Sequence, residues 1–176
     1  MEIKILVAYA SKYGSTQAVA EAIAATLCER GLSVDLQPMQ KVRTLEGYGA
    51  IVLGAPLYYG LWHKEGRNFL SRNEDALAQR PVVIFALGPN SNDVKEMLGS
   101  RTQLDQELAK FPWLTPVVTE VFGGKYPARL RFPDSLVASL PASPLHGMPA
   151  SDVRDWTAIR AWANGLVAQL QPVMHQ

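Results

Sequence analysis

Six residues at a predicted strand–helix junction have the types and spacing that bind an anion. They lie between an apolar run over 3–9 and a helical stretch over 17–29, and they are Ser11, Lys12, Tyr13, Gly14, Ser15 and Thr16. The first amides of a helix have no acceptor within the helix, and the helix dipole makes this end favourable for phosphate. Gly14 permits close approach of the backbone, and the three hydroxyls can donate to phosphate oxygens. The junction predicts a phosphate site, with ordinary capping of the helix as the alternative.

The arrangement of this turn narrows the kind of phosphate ligand. It has one glycine, unlike the G-x-G-x-x-G loop that binds dinucleotides, and Lys12 precedes that glycine rather than following it as in the G-x-x-x-x-G-K-[ST] loop. The turn resembles the flavodoxin mononucleotide loop, [ST]-x-T-G-x-T, with Ser11, Gly14 and Thr16 on the pattern and Tyr13 in place of the middle threonine. Because that loop holds the monophosphate of FMN, the resemblance implies FMN as the cofactor.

Two further loops have the composition of a ring-binding site. An aromatic loop follows the apolar run over 50–54, and a polar turn follows the run over 82–87. The first offers flat apolar faces for an isoalloxazine ring, and the second offers amides for its pyrimidine edge. The alternatives are packing of the aromatic rings on neighbouring helices and simple capping of the next helix at Asn92 or Asp93. The candidate cofactor-binding residues here are Pro56, Leu57, Tyr58, Tyr59 and Gly60, then Gly88, Pro89, Asn90 and Ser91.

Predicted strands and helices alternate along the chain and define the fold class. The strands cover 3–9, 33–37, 50–54, 82–87 and 116–122, and the helices cover 17–29, 63–78, 102–111 and a last segment capped by Asp152 with Asp155 in its first turn. Strands separated by helix-length segments imply a parallel sheet. We therefore expect one α/β domain over 1–176, a flavodoxin-like three-layer sandwich whose five-stranded parallel sheet has the order 2-1-3-4-5. In this order the ligand lies beyond the carboxyl ends of strands 1 and 3.

Composition and charge limit the classes of partner. The net charge of +1 gives no broad basic field, so nucleic acid is not an expected partner. The absence of a long apolar run and of a signal-peptide pattern predicts a cytoplasmic protein, with peripheral contact to the membrane left open. The single cysteine, Cys28, is interpreted as a packing residue, and the three histidines have no metal-ligand spacing, so no metal site is expected.

The chain is similar to the flavodoxin-domain family that contains menaquinone-dependent protoporphyrinogen IX dehydrogenase. The similarity is carried by Tyr9 to Thr16, Gly54 to Lys64, Phe122 to Lys125 and Arg154 to Trp156. It implies an FMN-dependent oxidoreductase that takes electrons from a small-molecule redox substrate and passes them to a quinone. The alternatives are a flavodoxin-type electron carrier and an FMN-fold binding module. Such carriers typically have a large excess of acidic over basic residues, which this chain lacks. The sequence identifies no catalytic acid or base.

The segment Lys125 to Ala150 is the least regular part of the sequence. It separates the fifth predicted strand from the last helix and contains five prolines, Pro127, Pro133, Pro141, Pro144 and Pro149. A connection of this length is often functional. Arg129 and Arg131, with apolar residues between and after them, suggest contact with a carboxylated substrate, a quinone or a membrane surface. A mobile surface loop and a contact between copies in an oligomer are the alternatives.

Overall fold

A parallel sheet forms the centre of the molecule. The computed structural model describes residues 4–143 and 146–174, the last three of them as backbone only. The sheet has the order β2-β1-β3-β5-β6, and its strands are β1 Lys4–Tyr9, β2 Val34–Pro38, β3 Tyr48–Tyr58, β5 Val82–Leu87 and β6 Val118–Phe122. A short strand, β4 Leu61–Trp62, turns back antiparallel to the end of β3. The five parallel strands have the predicted flavodoxin-like order, and β4 is an addition that the sequence did not indicate.

Helices cover both faces of this sheet. The helices are α1 Ser15–Glu29, α2 Lys64–Arg72, α3 Glu74–Ala78, α4 Val94–Leu108 and α6 Trp156–Met174, and a short 3₁₀ turn spans Met39–Lys41. Along β1, Ile5 faces the cluster formed with α1 and α6, whereas Leu6 faces the cluster formed with α2 and α4. This alternation follows from the two-residue period of a strand, and burial of both faces explains the continuous apolar run. The three-layer sandwich is confirmed.

Two helices begin at positions that differ from the predicted ones, because side chains cap them there. Helix α4 begins at Val94 rather than at residue 102, because Asp93 Oδ1 accepts the amide of Glu96 at 3.0 Å. Helix α6 begins at Trp156, because Asp155 Oδ1 accepts the amide of Ala158 at 3.0 Å. The interpretation of Asp93 as a cap is therefore confirmed, whereas the assignment of the last cap to Asp152 was wrong.

Three other expectations also need correction. The single helix predicted over 63–78 divides at Asn73 into α2 and α3, and β3 extends well beyond the predicted 50–54 at both ends. Cys28 is exposed, so its interpretation as a packing residue was wrong.

Within the described ranges, no helix combines the length and the apolar character needed to cross a bilayer.

The irregular segment after β6 is held at both of its ends. Strand β7 Lys125–Tyr126 pairs antiparallel with β8 Ser151–Asp152, and a short helix, α5 Asp134–Ser139, lies between them. We refer to residues 127–150 as the insert. Because β7 follows the carboxyl end of β6, the insert starts at the edge of the sheet where the candidate loops also lie.

Candidate functional site

A cavity of about 450 Å³ opens at the carboxyl ends of β1, β3 and β5. This size is in the range of about 300–1,000 Å³ that is usual for sites of small molecules and cofactors. The structure brings all three predicted loops to it. The sequence-predicted residues that line the cavity are Lys12, Tyr13, Ser15, Pro56, Leu57, Tyr58, Tyr59, Gly88 and Asn90.

The turn between β1 and α1 has unused hydrogen-bond donors. Gly14 adopts the left-handed conformation with φ 83°, and its amide donates to Ser11 Oγ at 2.9 Å. The next three amides, 15–17, donate to no acceptor in the described part of the chain, and the helix has no side-chain cap. The side chain of Thr16 is fully buried, and its Oγ1 has no partner among the described residues. Buried polar atoms are normally paired, so this turn is built to receive an acceptor.

A basic side chain lies behind this turn. The guanidinium of Arg154 donates to the carbonyl oxygen of Ser15 at 3.3 Å and is paired with the Asp152 carboxylate at 2.7 Å. The hydrogen bonds from Arg154 lower the pKa of Asp152 to about 2. Arg154, which the sequence singled out together with Asp155 and Trp156, therefore links the start of α1 to the segment that precedes the last helix.

A two-residue hairpin carries the aromatic loop. Tyr59 and Gly60 both have positive φ, 51° and 76°, as a type I′ turn between paired strands requires. Tyr59 is exposed at the tip, while the Tyr58 ring meets the His63 ring edge-on at a centroid distance of 6.0 Å. Burial raises the pKa of Tyr58 and lowers that of His63. Both side chains are therefore neutral at pH 7, and they give the cavity an uncharged wall.

Trp62 fixes this hairpin to the sheet and to α4. Its ring is fully buried, and its Nε1 donates to the carbonyl oxygen of Ala55 at 3.1 Å. Its backbone amide donates to the carboxylate of Glu107 on α4 at 3.3 Å. The aromatic loop is thus anchored to both the sheet and α4.

The polar turn after β5 packs directly on the glycine pair at 123–124. The amide of Gly124 donates to the carbonyl oxygen of Pro89 at 2.8 Å. A Cβ on Gly124 would lie 2.8 Å from the carbonyl oxygen of Gly88, so only glycine allows the two segments to approach this closely. Asn90 lines the cavity and donates to Met148 Sδ at 3.6 Å, which ties the turn to the insert.

The insert supplies a wall of the cavity that sequence reasoning missed. The residues not predicted are His63, Leu87, Gly124, Lys125, Tyr126, Pro127, Leu130 and Asp134. Asp134 Oδ2 accepts from Tyr13 Oη at 2.6 Å and from Lys12 Nζ at 2.5 Å. Burial acts to raise the pKa of Asp134, but these two hydrogen bonds and the ammonium charge outweigh it and lower the pKa. Burial and the bond to Asp134 raise the pKa of Tyr13 to about 12.

The remaining candidate residues lie around the cavity rather than on its lining. Ser11 and Gly14 border a neighbouring depression, and Thr16 is buried beneath the turn. Gly60 forms the hairpin tip, and Ser91 donates to Glu96 of α4. Pro89 contributes its carbonyl oxygen to the contact with the glycine pair. The sequence signals for this wall were the length of the connection between β6 and α6 and its arginines and apolar residues, which suggested substrate contact but did not identify the lining residues.

The fold and this cavity agree with the comparison to known families. A family model described as a flavodoxin domain matches residues 6–134, which is more than half of the chain. The chain belongs to the flavodoxin domain family. Membership implies a flavin cofactor and places the protein among the flavodoxin-type redox proteins.

Individual relatives show the same relationship at low identity. Flavodoxin 1 from Bacillus cereus superimposes with a TM-score of 0.59 at 15% identity, covering 95% of this chain and 99% of that one. Flavodoxin 2 from Bacillus cereus has a TM-score of 0.50 at 27% identity, covering 67% of this chain and 83% of its own. Protoporphyrinogen IX dehydrogenase [quinone] from Escherichia coli K12 is 24% identical over 87 residues, 48% of each chain. The chain thus spans about half the length of the curated relative that it matches.

Proposed function

We propose that the protein binds FMN with the phosphate at the start of α1 and the ring in the cavity of about 450 Å³. The observation that carries this proposal is the buried Thr16 hydroxyl, which has no partner in the described chain and belongs to the same turn as three backbone amides without an acceptor. A phosphate dianion is the ligand that such a set of donors fits. Pro56 to Tyr59, Gly88 and Asn90 would then flank the ring.

The proposed reaction is oxidation of a small reduced organic molecule, with a quinone as the electron acceptor. The bound flavin would supply the redox chemistry by taking up two electrons and passing them on. This chain's own residues orient the substrate and exclude water: Tyr58 and His63 form an uncharged wall, and the insert covers a second side. Such a cover favours a small substrate over an electron-carrier partner. Protoporphyrinogen IX is the first substrate to test, because the Escherichia coli relative is named for it.

Arg129 is outside the cavity lining, but in the chain it lies between two residues that line the cavity, Pro127 and Leu130. It is exposed, and no hydrogen bond or ion pair engages it in the described chain, whereas Arg131 donates to the carbonyl oxygen of Lys12 at 3.4 Å. A guanidinium without a partner is free to bind a propionate group. Arg129 is therefore proposed as a substrate contact, and Arg131 as a structural residue of the insert.

Contact with a membrane surface would suit a lipid-soluble quinone. Phe132, Leu136 and Leu140 are large, exposed and four residues apart, next to the exposed Arg129 and Arg131. Apolar side chains beside cations are typical of interfacial segments. Sedimentation of the protein with vesicles that contain an anionic lipid, compared with the Leu136→Ser variant, tests this part of the proposal.

Titration with FMN, riboflavin and FAD tests the cofactor. We expect the affinity for FMN to be much higher than the affinity for riboflavin. The Thr16→Val substitution should reduce this difference in affinity. In the protein without flavin, Thr16→Val should cost nothing or stabilise slightly, because it removes a buried hydroxyl that has no partner. The matched control is Thr26→Val on the same helix, whose Oγ1 donates to the carbonyl oxygen of Ala22 at 2.8 Å. That variant should lose about 1 kcal/mol of stability and keep FMN affinity. Equal binding of FMN and riboflavin would contradict the proposal.

Anaerobic reduction of the FMN-loaded protein by protoporphyrinogen IX, with a soluble menaquinone analogue as acceptor, tests the reaction. Turnover that falls in Arg129→Ala but not in Arg131→Ala would support substrate contact by Arg129. Rapid electron exchange with a protein partner, without reduction by the porphyrinogen, would favour the electron-carrier alternative.

A further inference from the structure

Tyr13 joins the phosphate turn to the insert. Its hydroxyl donates to Asp134 Oδ2 at 2.6 Å and accepts from the backbone amide of Arg131 at 3.2 Å. The neighbouring Lys12 donates to the same carboxylate oxygen at 2.5 Å, and the guanidinium of Arg131 lies 5.8 Å from the centre of the Tyr13 ring. These contacts connect positions that are more than 115 residues apart in sequence, 121 for Tyr13 and Asp134.

Tyr13 is also the position at which this chain departs from the mononucleotide pattern. A threonine in its place is shorter by the whole aromatic ring, and its hydroxyl would not reach the carboxylate of Asp134. The tyrosine that replaces the threonine of the pattern is therefore long enough to form a hydrogen bond with Asp134 of the insert. Charge-assisted hydrogen bonds of this length are among the stronger ones in proteins.

We propose that Tyr13 and Asp134 form a clasp that fixes the insert as a cavity wall and thereby selects small reactants. This inference rests on the proposed flavin-dependent function. Leu130 and Asp134 of the insert line the cavity, as do Tyr13 and Lys12 of the turn between β1 and α1. With the clasp closed, a small planar molecule enters beside the hairpin of β3 and β4, while a protein-sized electron acceptor is held away by the insert. Tyr13 and Asp134 are accordingly positioning residues, which act through the wall they hold.

The partial burial of the clasp strengthens its hydrogen bonds, because water has only limited access to them. The side chains of Lys12 and Asp134 are 28% and 19% exposed, so water competes only in part for the ion pair. The phenol is protonated at neutral pH and can donate, and because burial and the bond to Asp134 raise its pKa to about 12, it stays a donor in alkaline solution as well. Loss of the phenolic hydroxyl would leave the carboxylate with Lys12 alone and leave the amide of Arg131 without its acceptor.

Hydrogen exchange in the flavin-free protein tests the clasp directly. In Tyr13→Phe, the amide of Arg131 should exchange about tenfold faster, because its acceptor is gone and the insert opens more often. Asp134→Asn should give a smaller increase in the same segment. The matched control is Tyr48→Phe, which removes a phenol that donates to Asp35 Oδ2 at 2.8 Å, far from the insert. Unchanged exchange at Arg131 in Tyr13→Phe would overturn the clasp.

Electron transfer from the flavin-loaded, dithionite-reduced protein tests the selectivity. Wild type and Tyr48→Phe should react much faster with a water-soluble benzoquinone than with cytochrome c. In Tyr13→Phe the rate with cytochrome c should rise about tenfold relative to the rate with the quinone, in proportion to the opening of the insert. An unchanged ratio, with faster exchange at Arg131, would overturn the selectivity and leave the clasp a structural contact. Failure to load flavin would contradict the proposed function, and the exchange experiment would still decide the clasp.

Discussion

Replacement of Glu107 should show how firmly α4 holds the hairpin that carries Tyr58 and Tyr59. Glu107 is 3% exposed, and its Oε2 accepts the buried amide of Trp62 at 3.3 Å and lies 3.9 Å from Arg67 Nε. Its other oxygen is paired with Lys110. In Glu107→Ala the amide of Trp62 loses its acceptor, a cost of about 1–3 kcal/mol for a buried donor.

The two ion pairs of Glu107 contribute little to the free energy of unfolding. The side chain of Lys110 is 55% exposed, so water and salt can replace most of its attraction to Glu107. The Nε of Arg67 is buried but lies 3.9 Å from the Glu107 carboxylate, too far for a strong contact. A partly exposed pair contributes about 0–1 kcal/mol. We therefore expect Glu107→Ala to lower the free energy of unfolding by about 2–3 kcal/mol in total. Glu107→Gln keeps an acceptor for the amide and should cost about 1 kcal/mol.

Urea unfolding at pH 7, followed by tryptophan fluorescence, measures this difference. The control is Asp105→Ala, which removes a carboxylate from an exposed position of the same helix and should change the free energy of unfolding by less than about 0.5 kcal/mol. The reasoning would be refuted if Glu107→Ala and Asp105→Ala unfolded at the same urea concentration with the same slope.

Three further predictions concern the cavity and its loops. Gly14 and Gly31 both have φ 83° and open space around an added Cβ, so Gly14→Ala and Gly31→Ala should lose similar stability, about 1–2 kcal/mol, in urea unfolding. FMN titration should show weaker binding in the first variant alone; equal affinity in the two would place the phosphate elsewhere. Alanine at Tyr58 or Tyr59 should change the quenching of flavin fluorescence or the reduction potential, and no change in either variant would mean that the ring lies elsewhere. Because burial lowers the pKa of His63, the folded state resists protonation, so stability should fall as the pH drops below about 6.5. Proton NMR of the imidazole, in native protein and in urea, would contradict this if the native pKa were not the lower one.

The sheet and the loops at its carboxyl ends were predictable because their signals are local. The β1 segment has apolar residues on both faces, and the junction at 11–16 combines a glycine with three hydroxyl residues. The sequence also predicted that the loops after the first, third and fourth predicted strands, which are β1, β3 and β5 in the structure, would converge. Parallel strands end at one edge of the sheet. Both expectations hold in the structure.

Long-range contacts account for what the sequence did not indicate. Tyr13 meets Asp134 across 121 positions, and no spacing rule links a phenol to a carboxylate that far away. The early start of α4 was missed because Gly99 and Ser100 interrupt its helical pattern, whereas the cap at Asp93 and burial of Leu104 and Glu107 stabilise the full helix. Tertiary packing overrides weak propensity in such segments.

The pairing of β7 with β8 makes the insert an exchangeable unit. Tyr126 lies opposite Ser151 in this pair, so the chain leaves and re-enters the domain at adjacent points, whatever lies between. The entropic cost of closing a loop rises only slowly with its length, and none of the described residues of the insert belongs to the main sheet. A chain in which a short turn joins Tyr126 to Ser151 should therefore fold to the same five parallel strands. The fold thus separates the sheet and the loops proposed to hold the cofactor from a segment whose length and composition the sheet does not constrain.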